Sequence, residues 1–170
     1  MATKRPPSEK RFEVAISSGD IKLVERLIAQ GANVHGANVD DFPAIWAIEN
    51  GQAEILKLLI RHGVDPRSGD GVLFLTGVFH DQQAILKLLL SLVFSPDLWR
   101  GKSLSDIQNE ASLIYQQIEK YVSYDELHVE REARNFRLLL FDAAMTCWEQ
   151  VRPDPPKLKI SDVPAKGKAL

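Results

Sequence analysis

Ala47-Ile48-Glu49-Asn50-Gly51, followed by Ile55-Leu56-Lys57-Leu58-Leu59-Ile60-Arg61-His62-Gly63-Val64-Asp65, is the stretch whose reading decides the fold. Upstream, Ala15-Ile16-Ser17-Ser18-Gly19 leads into Leu23-Val24-Glu25-Arg26-Leu27-Ile28-Ala29-Gln30-Gly31-Ala32-Asn33. Downstream, Gly77-Val78-Phe79-His80-Asp81 leads into Ile85-Leu86-Lys87-Leu88-Leu89-Leu90-Ser91. The block recurs at a period of about 33 residues. Each copy reads as a short helix, a turn, a longer helix and an exit turn. One copy has an apolar face that it cannot bury alone. Copies must therefore stack into an all-α solenoid whose layers share one continuous core.

The helix pairs are expected at 12–18 with 21–30, 43–50 with 53–62, and 73–79 with 82–93. Leu23, Val24, Leu27 and Ile28 form a helical stripe that faces a neighbouring layer. Gly31 ends its helix with the residue that tolerates positive φ. Pro43 suits the first turn of the next helix, where its missing N–H costs nothing. Gly36, Asn38, Pro66, Gly69 and Gly71 punctuate the connecting loops.

After Pro96 the pattern changes. Ser103 with Asp106 reads as a helix-opening capping box. Ile107, Ala111, Ile114, Ile118 and Tyr121 then step by three and four residues, a heptad-like seam on a helix longer than those of the repeats. Ser123-Tyr124-Asp125 is a short break. The second long helix carries Ala133, Phe136, Leu139, Leu140, Ala143, Ala144 and Trp148 along one side. The two helices are expected to fold back on each other and cap the stack. The organisation is thus a flexible segment 1–11, repeats over 12–102, a helical hairpin over 103–150, and a Pro- and Lys-rich flexible tail over 151–170.

Composition bounds the function. With 45% apolar and 26% charged residues the chain is an ordinary globular sequence. Its net charge is −2, unevenly spread. Lys4, Arg5, Lys10 and Arg11 outweigh Glu9 at the start, and Lys157, Lys159, Lys166 and Lys168 outweigh Asp154 and Asp162 at the end. The body between them is acidic, which argues against nucleic acid and for a partner that is basic at its contact surface. The lone Cys147 permits no internal disulfide and no cysteine-rich metal site. The first residues show no apolar signal region, and the longest apolar run, Leu88 to Phe94, is too short to span a membrane. A reducing cytoplasm is the expected setting.

The repeat resembles the ankyrin repeat. Phe42-Pro43-Ala44-Ile45-Trp46-Ala47-Ile48 stands where that family has Thr-Pro-Leu-His-x-Ala-Ala. Asn50-Gly51-Gln52 resembles its inter-helix turn, and Leu58-Leu59-Ile60-Arg61-His62-Gly63-Val64-Asp65 its second-helix ending. The third unit departs from the pattern. Val72-Leu73-Phe74 replaces Thr-Pro-Leu, Gly77 the first Ala, and Asp81 the turn Gly. The resemblance implies three units over 12–93 and a concave, protein-binding groove made by loop tips and inner helices.

Nothing in the sequence points to catalysis. His35, His62, His80 and His128 are scattered, without metal-ligand spacing. There is no nucleophile elbow, no phosphate-cradling loop and no His-Glu-x-x-His. Asp40-Asp41 reads as loop-forming or partner-contacting, Cys147 as a buried thiol, and Trp46 as core packing between inner helices. No cofactor and no metal are expected.

The function expected is therefore recognition of a folded protein through the concave face. Its contact residues would be Asn38, Asp41, Glu49 and Asn50 from unit two, with Asp70, Phe79 and His80 from unit three. Asp40, Arg67 and Ser68 add polar loop tips. A stack of this kind can act by covering its partner's functional surface, as an inhibitor, immunity or counter-defence protein. The alternative is an assembly subunit that oligomerises through 103–150. A monomer, with the 107–121 seam used inside the chain, is favoured over a homodimer. Phe79 has two readings. It is a contact residue, or it is buried beneath the C-terminal helices by a register shift in the third unit.

Overall fold

The computed structural model of the chain describes residues 7–36, 42–67, 69, 71–122 and 127–153, with the side chains of 127 and 128 excepted. Those residues are helical, with no strand among them. In order they form α1 (Glu9–Ser17), α2 (Ile21–Ala29), α3 (Pro43–Glu49), α4 (Ala53–Arg61), α5 (Val72–Phe79), α6 (Gln83–Val93), α7 (Pro96–Trp99), α8 (Leu104–Glu119) and α9 (Leu127–Val151).

The inner helices α1, α3 and α5 pack in a row, and the outer helices α2, α4 and α6 form a second row. The turn between inner and outer helix repeats bond for bond. Gly19 N–H donates to the Ile16 carbonyl, Gly51 N–H to Ile48, and Asp81 N–H to Val78. The next residues follow suit: Asp20 to Ala15, Gln52 to Ala47, Gln82 to Gly77. The third unit thus keeps its register despite its altered motif. The exits match as well. Asn33 Oδ1 accepts the His35 N–H at 3.0 Å, and Asp65 Oδ1 accepts the Arg67 N–H at 2.9 Å, two Asx turns in the loops that follow the outer helices.

Gly77 has a packing reason. A Cβ there would lie 2.7 Å from Leu86 Cδ2, so the glycine lets α5 and α6 approach closely. The core is continuous from Phe12 through Ile48, Leu59, Phe74 and Leu89 to Phe136 and Leu140. Trp46 is part of it.

The seam Ile107, Ala111, Ile114 and Ile118 is buried, and α8 packs against α9. Tyr121, expected on that seam, lies beyond the end of α8 and is exposed. The Ser103–Asp106 capping box forms with both reciprocal bonds. Those bonds from Ser103 hold the Asp106 carboxyl below its usual pKa. α9 also packs on α5, α6 and α7, so it covers the apolar end of unit three. Short α7 was not expected. It brings Trp99 against Phe94, ring centroids 6.0 Å apart, and Trp99 Nε1 donates to the Val93 carbonyl at 2.7 Å. α1 begins at Glu9, inside the stretch expected to be flexible, with an acidic residue suited to a helix N-terminus. The break 123–125 and nearly all of the 151–170 tail lie outside the described residues.

Candidate protein-binding face

The last turns of α1, α3 and α5 bring a row of side chains together. The equivalent pairs are Ser17-Ser18, Glu49-Asn50 and Phe79-His80. Asn50 Nδ2 donates to the Trp46 carbonyl at 2.8 Å and reaches Ser17 Oγ at 3.4 Å. Glu49 Oε1 stands 4.0 Å from His80 Nε2. Gln52 Nε2 clasps the Ser17 carbonyl of the preceding unit at 3.5 Å. Each unit thus touches the next through polar side chains that remain open to solvent. Phe79 is 41% exposed in the same row. The unshifted turn at 80–82 accounts for this, since α5 keeps the phase of α1 and α3 and its final residue points outward as theirs do.

Of the residues singled out from the sequence, Glu49, Asn50, Phe79 and His80 lie in this row, whereas Asn38, Asp41 and Asp70 fall outside the described residues, as do Asp40 and Ser68. Arg67, expected as a polar loop tip, is exposed and also approaches the C-terminal hairpin. Its Nε lies 3.8 Å from Glu110 Oε1 on α8, and Gly71 in the same loop packs near Gln117. α8 therefore flanks the exit loop of unit two, where a further repeat would otherwise stack.

A second polar group escaped the sequence reading. Gln83 Nε2 donates to Glu132 Oε2 at 3.1 Å and lies 3.4 Å from Asp81 Oδ1. Arg131 donates to Glu132 Oε1 at 2.9 Å, and Asn135 Nδ2 lies 3.4 Å from Oε2. Glu132 is 4% exposed. Burial pushes its carboxyl up, but the hydrogen bonds from Arg131 and Asn135 outweigh this and hold it below its ordinary pKa. The one available signal was Asp81 in the place of a turn glycine. The cluster joins unit three to α9.

Residues 12–98 match ankyrin repeats, in three copies. The chain belongs to the ankyrin-repeat family. Ankyrin repeats imply a helical protein-binding module, and such repeats are typically non-catalytic. No curated protein matches the chain. Among the described residues no helix is long and apolar enough to cross a membrane, and no group of three or more His, Cys, Asp or Glu could hold a metal ion. Cys147 is buried, and burial raises its thiol pKa, which suppresses the thiolate that reactive chemistry needs.

Proposed function

We propose that this ankyrin stack recognises a folded partner with the row Glu49, Asn50, Phe79 and His80, extended by Asn38, Asp41 and Asp70. The observation that carries the reading is the exposure of Phe79 at a position where the other two units have Ser17 and Glu49. An aromatic ring among solvated polar groups is the arrangement of an interface anchor within a polar rim. The carboxylates of Glu49, Asp41 and Asp70 suit a partner that is basic where it docks, and they would speed encounter. The chain works by occupying its partner's functional surface, as an inhibitor, immunity or counter-defence protein in the cytoplasm, without a cofactor and without catalysis.

The test is comparative capture from native lysate with wild type, Phe79→Ala and Glu49→Lys, followed by affinity measurement with the purified partner. Phe79→Ala should weaken binding by about 2 kcal/mol. Glu49→Lys should mainly slow association and blunt its salt dependence. Equal binding by all three proteins would remove the row from the interface.

A further inference from the structure

The stack ends on α8 and α9, and the outer side of that end is not polar throughout. α9 buries Val129, Ala133, Phe136, Leu140, Ala144 and Cys147 on the side facing the body. Leu138 and Met145, seven residues apart, stand exposed on another face of the same helix, and Phe141 and Trp148 pack against the edge of the core beside them. Leu138 is 71% exposed and Met145 41%, while Phe141 and Trp148 are half-buried. A helix that closes a solenoid toward water should show it a polar face. Two turns of apolar residues at this spacing form the narrow seam by which helices pair.

The charges beside the seam say what pairs with it. Exposed Arg131, Arg134 and Arg137 occupy the N-terminal half of α9, and exposed Asp142 and Glu149 the C-terminal half, with exposed Arg152 at its very end. Glu130, in the N-terminal half, is already bonded to Arg134. A second α9 running parallel would set like charges together. Running antiparallel, in the register that places Leu138 against Met145 of the partner subunit, it brings Arg134 to Glu149 of the partner subunit, while Arg131 meets Arg152 of the partner subunit. Phe141 then falls beside the two-fold axis, and the arrangement is self-complementary, as a two-fold interface must be. Arg137, over the Tyr115 ring at 5.2 Å, steadies this part of α9 on α8.

We propose that the chain forms a homodimer by antiparallel pairing of α9 with α9 of a second copy through Leu138, Phe141 and Met145, with Arg134 and Glu149 paired across the seam. The seam from Arg134 to Glu149 is only about 22 Å long at a rise of 1.5 Å per residue. That is a small interface, so the dimer is a reversible one of micromolar affinity. It uses none of the Glu49–Phe79 row, so a dimer offers two such rows and can bind a multivalent partner with avidity.

Sedimentation of the full chain over roughly 1–200 µM tests this. A reversible monomer–dimer equilibrium is expected. Leu138→Asp should weaken it at least about tenfold, with the melting temperature preserved because Leu138 is exposed. Arg134→Glu and Glu149→Arg should each weaken it about fivefold or more, and the double variant should recover affinity to within about threefold of wild type. Helicity and melting temperature of every variant are checked alongside. Monomer at all concentrations overturns the proposal. So does a dimer indifferent to Leu138→Asp, or a double variant that does not recover.

Discussion

Units two and three close the same turn with different residues. Gly51 holds φ +67°, and Asp81 holds φ +50° at the equivalent place. The hydrogen bonds around the two turns are alike, but their neighbours are not. Gly51 lies beside Gln82 of the next repeat. Asp81 lies beside Gln83, which reaches the buried Glu132 of α9. One other departure of unit three follows the same logic. Phe74, where the family has Leu, meets Phe136 of α9 with ring centroids 5.7 Å apart. The third unit looks worn in sequence because its outer neighbour is a long helix rather than a fourth repeat. Departures from a repeat pattern therefore mark the place where the neighbour changes.

The largest effect expected on this contrast is from Phe136→Ala. It removes the ring that fills the space above Phe74 and should cost about 3–5 kcal/mol. If unit three leans on α9, amide exchange in α6 should accelerate well before exchange in α4. Uniform acceleration across both helices would show that the two units are equally independent of the cap.

Next comes Glu132. Glu132→Ala should cost about 1–2 kcal/mol by leaving Arg131, Gln83 and Asn135 without their shared acceptor. The pH dependence follows from the depressed folded-state pKa. The stabilisation is present above the ordinary Glu range of about 4.3 and is lost as pH falls through the lower folded value. Thermal melts from neutral pH toward about pH 3 should therefore fall more steeply for wild type than for Glu132→Gln. Parallel curves would mean that Glu132 carries no acid sensitivity.

A smaller change of opposite sign should come from the turns. Asp81→Gly relieves a left-handed backbone and should stabilise by about 1 kcal/mol, whereas Gly51→Asp should destabilise by a similar amount. If Asp81→Gly is instead destabilising, the polar link to α9 outweighs the backbone cost. The smallest effect on folding belongs to Phe79→Ala. At 41% exposure it should cost under about 1 kcal/mol. The buried Phe74→Ala, a few residues earlier, should cost about 3–5 kcal/mol. Chemical denaturation of both variants checks the split.

The sequence alone determined the repeat stack. The spacing of Ala47, Gly51, Leu58-Leu59 and Gly63 is local information, because each residue's place depends on helix period and turn geometry within its own unit. The capping box at Ser103–Asp106 and the buried 107–118 seam were legible for the same reason. The common row of Glu49, Asn50, Phe79 and His80 was legible too, since equivalent positions in a solenoid share one orientation. What only the tertiary structure decided lies between units. It settled that Phe79 is exposed, that Arg67 turns toward Glu110, and that Asp81 and Gln83 meet Glu132. It also settled which side of α9 faces the body and which is left over. Those outcomes depend on how the C-terminal helices settle onto the third unit, and contacts between residues far apart in the chain leave no periodic trace along it.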